Sequence, residues 1–126
     1  MTARRTAFVT GAAYGIAAFG HLDVLVNNAG VPLTCPAVEV TEAEWNAVID
    51  VNLKGVFFTS QQMGRHLIAS GRGGAIVSIA STHGVIWIAD RSIYGISKAG
   101  ACETGWQPDF RGDSLVVSPS LRQAGA

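Results

Sequence analysis

Three features write a parallel α/β sheet into this chain. Residues 6–10, 23–28 and 75–80 are short apolar runs without polar alternation, the pattern of strands buried on both faces. Each run gives way to glycine, asparagine or serine, as strand tips do where the chain turns. Between the second and third runs lies a capped helical pattern, too long for a hairpin and long enough for a parallel crossover.

Gly11, with Gly15 four positions on, reads as a tight turn from the first strand into a helix N-terminus. Glycines let a ligand approach the backbone, and the free N–H groups of a first helical turn attract phosphate. Asn28, Ala29 and Gly30 follow the second strand, at the carboxyl end where open α/β sheets bind ligands. Thr41 and Glu44 form a capping box that opens a helix lasting to about Ile68. Trp45, Val48, Ile49, Asn52 and Val56 share one stripe of it, and an asparagine on an apolar face is either a network residue or part of a site. A glycine-rich turn over 71–74 precedes the third strand, and Ser81 stands just past that strand's carboxyl end. The loop 82–93 leads into a helix bearing Tyr94 and Lys98. His83 in that loop reads as solvated, and His21 and His66 have no partners at metal-ligand spacing. Beyond Ala101, Gly105 and Pro108 interrupt the helix, residues 114–117 offer one more short strand, and 122–126 read as frayed.

Tyr94-Gly95-Ile96-Ser97-Lys98, with Ser81 thirteen positions upstream, carries the chemistry. On a helix, Tyr94 and Lys98 stand one turn apart and share a face, so the ammonium favours the phenolate. A phenol with an ordinary pKa of about 10 then becomes an acid or base nearer neutral pH. The chain uses seven arginines and only Lys54 and Lys98 as lysines, which makes Lys98 look selected. A compact ammonium bonds a ribose hydroxyl and sits near a phenol better than a planar guanidinium does.

At 126 residues with 48% hydrophobic side chains, the chain fits one globular domain over 1–126. Nine basic and nine acidic residues cancel without forming runs, which argues against nucleic acid or an anionic membrane as partner. Cys35 and Cys102 lie outside any C-x-x-C or Cys/His pattern, so neither a disulfide framework nor a metal site is expected, and a cytoplasmic location is. Arg4-Arg5 and the small-residue stretch after it superficially resemble a secretory signal, but Thr10, Gly11, Tyr14 and Gly15 interrupt it. Nothing approaches the ~20 apolar residues of a membrane span.

Thr10-Gly11-x-x-x-Gly15, Asn27-Asn28-Ala29-Gly30, Asn52 within Val51-Asn52-Leu53-Lys54-Gly55, Ser81 and Tyr94-x-x-x-Lys98 stand in the order found in short-chain dehydrogenases/reductases. The resemblance runs from about Thr6 to Gly100. It implies an incomplete Rossmann-type three-layer fold with a reduced parallel sheet, its strands near 6–10, 23–28 and 75–80, to which the residues at 114–117 offer one more. It also implies NAD or NADP as cofactor and a small-molecule ketone or secondary alcohol as substrate. By that resemblance Tyr94 is the acid/base, Ser81 orients the substrate oxygen, Lys98 holds the ribose and lowers the tyrosine pKa, and Asn52 binds a relay water. Thr10, Gly11, Gly15, Ile16, Asn28, Ala29 and Gly30 would line the cofactor with Tyr94 and Lys98. Helices near 41–69 and 92–101 mediate subunit contacts in the family, which implies a homo- or hetero-oligomer.

The chain departs from the pattern between the glycine turn and Asn27, where a helix and two strands are missing. Ala17 stands where a third glycine is usual, which places the break near 16–18. The lost second strand would have carried the residue that selects NAD or NADP. Residues 101–126 match the family poorly and read as a loosely ordered tail. Three readings remain: an oxidoreductase with a shortened cofactor wing, a non-catalytic remnant, or a helix-mediated partner of a full-length relative.

Overall fold

The computed structural model describes residues 6–9, 18–71, 73–103 and 113–117. Four strands, β1 (Ala7–Val9), β2 (Val24–Asn27), β3 (Ala75–Ile79) and β4 (Asp113–Val117), form one sheet in the order β1-β2-β3-β4. All pairs are parallel, with Ala7 opposite Val24, Val24 opposite Ala75 and Ala75 opposite Asp113. This is the reduced sheet expected from the three apolar runs, with the short run at 114–117 as its fourth strand. The first strand sits directly beside the one ending in Asn27.

At the amino end, Asp23 stitches three strands. Its carboxylate accepts the Thr6 N–H at 2.8 Å, its own N–H donates to the Thr6 carbonyl at 2.9 Å, and its carbonyl accepts the Ala75 N–H at 2.9 Å. At the carboxyl end, the Asn27 amide donates to Ser60 Oγ at 2.8 Å and Ser78 Oγ at 3.3 Å, and its oxygen accepts the Thr59 hydroxyl at 2.7 Å. A buried amide so satisfied ties the β2 tip to its neighbouring strand and to the covering helix. Asn27 is therefore structural, while Asn28, Ala29 and Gly30 beyond it are exposed.

The long helix begins where the capping box puts it. Thr41 Oγ1 accepts the Glu44 N–H and the Glu44 carboxylate accepts the Thr41 N–H, opening α1 (Glu42–Ile49). A π-helical turn, Asp50–Gly55, follows and leads into α2 (Val56–Ser70). Val48, Asn52, Val56 and Ser60 are all buried. Residues spaced by four drift about 40° per step around an α-helix, and the wider π turn takes up that drift.

Leu22, Leu25, Met63, Leu67 and Ile76 form the core between sheet and α2. Burial along β2 and β3 alternates: Leu25, Asn27, Ile76 and Ser78 are buried, while Val24, Val26, Ala75, Val77 and Ile79 are only partly covered. The expectation of strands buried on both faces is thus corrected for these two. An apolar run records what a strand can bury, and packing decides whether both faces are covered.

Candidate functional site

Ser81 lies two residues beyond β3 and caps a 3₁₀ turn, Thr82–Gly84, that leads toward α3 (Ser92–Cys102). Tyr94 and Lys98 lie on α3 one turn apart, and the Lys98 Nζ stands 5.8 Å from the Tyr94 ring centroid, within cation–π range. Only 5% of Lys98 is exposed, and its ammonium donates to the Ile79 carbonyl at 2.9 Å. Burial pushes the Lys98 pKa below the usual lysine value, outweighing an opposite influence from Cys102.

Asn52 is 1% exposed. Its Oδ1 accepts the Val31 N–H at 2.8 Å, and its Nδ2 donates to the Val31 carbonyl and to Ser97 Oγ, both at 3.0 Å. The Ser97 hydroxyl in turn donates to the Tyr94 carbonyl at 2.7 Å. Both amide hydrogens are therefore committed, and a water could be held only at the remaining Oδ1 lone pair. The π turn, the segment after β2 and α3 are all joined through this one side chain.

Gly30 lies against both groups. A Cβ there would stand 3.3 Å from Lys98 Nζ and 3.5 Å from Asn52 Oδ1. A side chain larger than hydrogen would fill the space beside the ammonium, so Gly30 leaves a bare backbone cradle there. Gly30, Asn52, Lys98 and, through Lys98, Tyr94 thus come together beyond the carboxyl end of β2, while Asn28 and Ala29 are exposed between Asn27 and Gly30. Thr10, Gly11, Gly15 and Ile16 lie outside the described residues.

One residue at this site was misread from the sequence. His83 is half-buried, its Nδ1 lies 3.1 Å from Ser81 Oγ, and its ring meets the Tyr94 ring edge-on with centroids 5.4 Å apart. Its spacing of two from a serine at a turn start was the available signal, because such serines bond the backbone two residues on. Here the His83 N–H donates to Ser81 Oγ at 3.3 Å. Beside it, Val85, Ile86, Trp87, Arg91 and Ile96 help line a cleft of about 380 Å³. Among the described residues, no group of three or more His, Cys, Asp or Glu side chains is placed to hold a metal ion.

Residues 15–104 match the family profile described as short chain dehydrogenase. Over 66 residues the chain is 50% identical to a 2-dehydro-3-deoxy-D-gluconate 5-dehydrogenase of Escherichia coli (strain K12), covering 52% of this chain and 26% of that protein. Over 95 residues it is 39% identical to a D-threitol dehydrogenase of Mycolicibacterium smegmatis, covering 75% of this chain and 36% of the other. A metagenomic short-chain oxidoreductase crystallised with NADP matches at a TM-score of 0.76 and 36% identity, over 86% of this chain and 51% of that one. The chain spans about half the length of these relatives or less.

Proposed function

This chain belongs to the short-chain dehydrogenase/reductase family, and from that premise we propose that it is an NAD(P)-linked oxidoreductase interconverting a ketone and a secondary alcohol. The observation that carries the reading is the buried Lys98 ammonium, 5.8 Å from the Tyr94 ring centroid and close to the bare backbone of Gly30. That cradle fits a dinucleotide: Asn28, Ala29 and Gly30 offer backbone for close approach, and Lys98 offers donors for a ribose. When bound, the nicotinamide supplies the hydrogen and electron pair that reduce the carbonyl carbon. The selector between NAD and NADP is missing from the sequence, and either nucleotide fits this reading.

In that reading, Tyr94 gives its hydroxyl proton to the substrate oxygen on reduction and takes it back on oxidation. Ser81 hydrogen-bonds the same oxygen. The Lys98 charge stabilises the negative charge that develops on the tyrosine oxygen as its proton leaves. Asn52 holds the segment after β2 and α3 in register, and a water on its Oδ1 would extend the proton path. The substrate is a small carbonyl or alcohol. The free thiols Cys35 and Cys102 suit a reducing cytoplasm, and no helix among the described residues is long and apolar enough to cross a membrane.

Isothermal titration with NADH and NADPH tests the proposal: heat with at least one is expected, and silence with both at millimolar concentration sinks it. Tyr94→Phe should then remove turnover and leave nucleotide binding intact. A second reading rests on Phe57, Phe58, Ile68 and Ile96, which stay exposed on α2 and α3. It makes the chain a non-catalytic partner that pairs through these helices with itself or a longer relative. A clean monomer in size-exclusion chromatography, alone and mixed with such a relative, counts against it.

A further inference from the structure

His83 touches both hydroxyl-bearing side chains that the proposed reaction aims at one substrate oxygen. Its Nδ1 is 3.1 Å from Ser81 Oγ, and its ring packs edge-on against Tyr94 at an interplanar angle of 79°. The turn that carries it is pressed onto α3. A Cβ on Gly84 would stand 2.8 Å from the Ala99 nitrogen and the Lys98 carbonyl carbon, and one on Gly95 would stand 2.9 Å from the His83 carbonyl oxygen. Two glycines thus let backbone meet backbone, which fixes the imidazole relative to Tyr94.

We propose that His83 is a positioning residue that sets which way the Ser81 hydroxyl proton points, and so whether Ser81 meets the substrate as donor or acceptor. The proposal rests on the oxidoreductase reading above. A serine hydroxyl has one hydrogen and two lone pairs, and one lone pair already takes the His83 N–H. In the tautomer with a bare Nδ1, that nitrogen accepts the Ser81 hydrogen. Ser81 then offers only a lone pair, which suits an alcohol and turns away a ketone. In the tautomer with hydrogen on Nδ1, the ring donates to Ser81 and frees the serine hydrogen for a ketone oxygen. Exchange between them releases one proton from Nε2 to water and takes another at Nδ1, with no change in charge. His83 thereby lets one serine serve both directions of the interconversion.

Long-range proton–nitrogen NMR on the full chain reads the tautomer ratio of His83 directly. In either tautomer Ser81→Ala takes away the hydrogen-bond partner of Nδ1, so the Nδ1 resonance should move, and Ser81→Thr should return it. Ser81→Gly gives the same readout should Ser81→Ala not fold. An Nδ1 resonance unmoved by loss of the hydroxyl overturns the proposal, whether or not the chain turns over. In kinetics, His83→Phe, which keeps the ring edge against Tyr94, should lower kcat for ketone reduction about tenfold with little change in KM. His83→Asn, which keeps a polar group near the serine, should recover most of the loss. Wild-type kcat in His83→Phe also overturns the proposal. Absence of nucleotide binding by the parent chain refutes the oxidoreductase reading instead, and leaves the NMR result to decide the coupling of His83 to Ser81.

Discussion

Replacing Asn52 by leucine keeps the branched shape of the side chain and removes every polar contact it makes. Three hydrogen bonds go: two to the Val31 backbone and one to Ser97 Oγ. Val31 is part-buried, so water makes good some of what its N–H and C=O lose, leaving about 1 kcal/mol for each. Ser97 is fully buried and keeps only the bond it donates to Tyr94, so its lost donor costs about 1 kcal/mol more. The expected loss is about 3 kcal/mol, a large part of the 5–15 kcal/mol that holds a typical domain together. Asn52→Ala should cost at least as much, because it adds a small void to the same unpaired groups. Urea unfolding followed by the fluorescence of Trp45, Trp87 and Trp106 measures both. The midpoint should fall with the slope unchanged. If Asn52→Leu lies within about 1 kcal/mol of the parent, the amide is a space-filler and the reasoning fails.

Thr41→Ala removes the acceptor that opens α1 and should cost about 1 kcal/mol of stability in the same assay; no measurable change means that helix start is held by packing alone. The Thr41 N–H holds the Glu44 carboxyl pKa below its usual value, so its contribution is present above the unfolded pKa and fades as pH falls through the folded one. Gly84→Ala brings a methyl within 2.9 Å of α3 backbone atoms that cannot swing aside, and should cost about 1–3 kcal/mol in chemical denaturation; a neutral result shows that the turn sits further from the helix. Lys98 has its folded pKa depressed by burial, so between the folded and unfolded values the unfolded chain binds more protons. Stability should therefore rise with pH on approach to the ordinary lysine range, and Lys98→Met should flatten that rise; a falling wild-type profile contradicts the assignment.

Local chemistry was the legible part of the sequence. Thr41 and Glu44 are three residues apart and their side chains bond back to each other, so they mark the helix start at residue resolution. Tyr94 and Lys98 likewise lie within a single helical turn. What escaped reading depended on distant neighbours. Asn27 and Asn28 are adjacent and chemically identical, yet one is locked among Ser60, Ser78 and Thr59 while the other is exposed, and strand alternation against α2 makes that difference. Val24 and Leu25 are equally apolar, but only the second meets Met63 and Leu67 in the core. His83 read as solvated because its partner Tyr94 arrives from the next helix.

The π turn at Asp50–Gly55 works as a phase coupler between the two halves of the long helix. Each residue added or removed there would rotate α2 by about 100° relative to α1. One such step would carry Met63 and Leu67 away from the sheet and, in the same motion, turn the Asn52 amide away from Val31 and Ser97. Hydrophobic anchoring and site assembly are thus set by a single angular register, and the length of this turn cannot change without unsettling both.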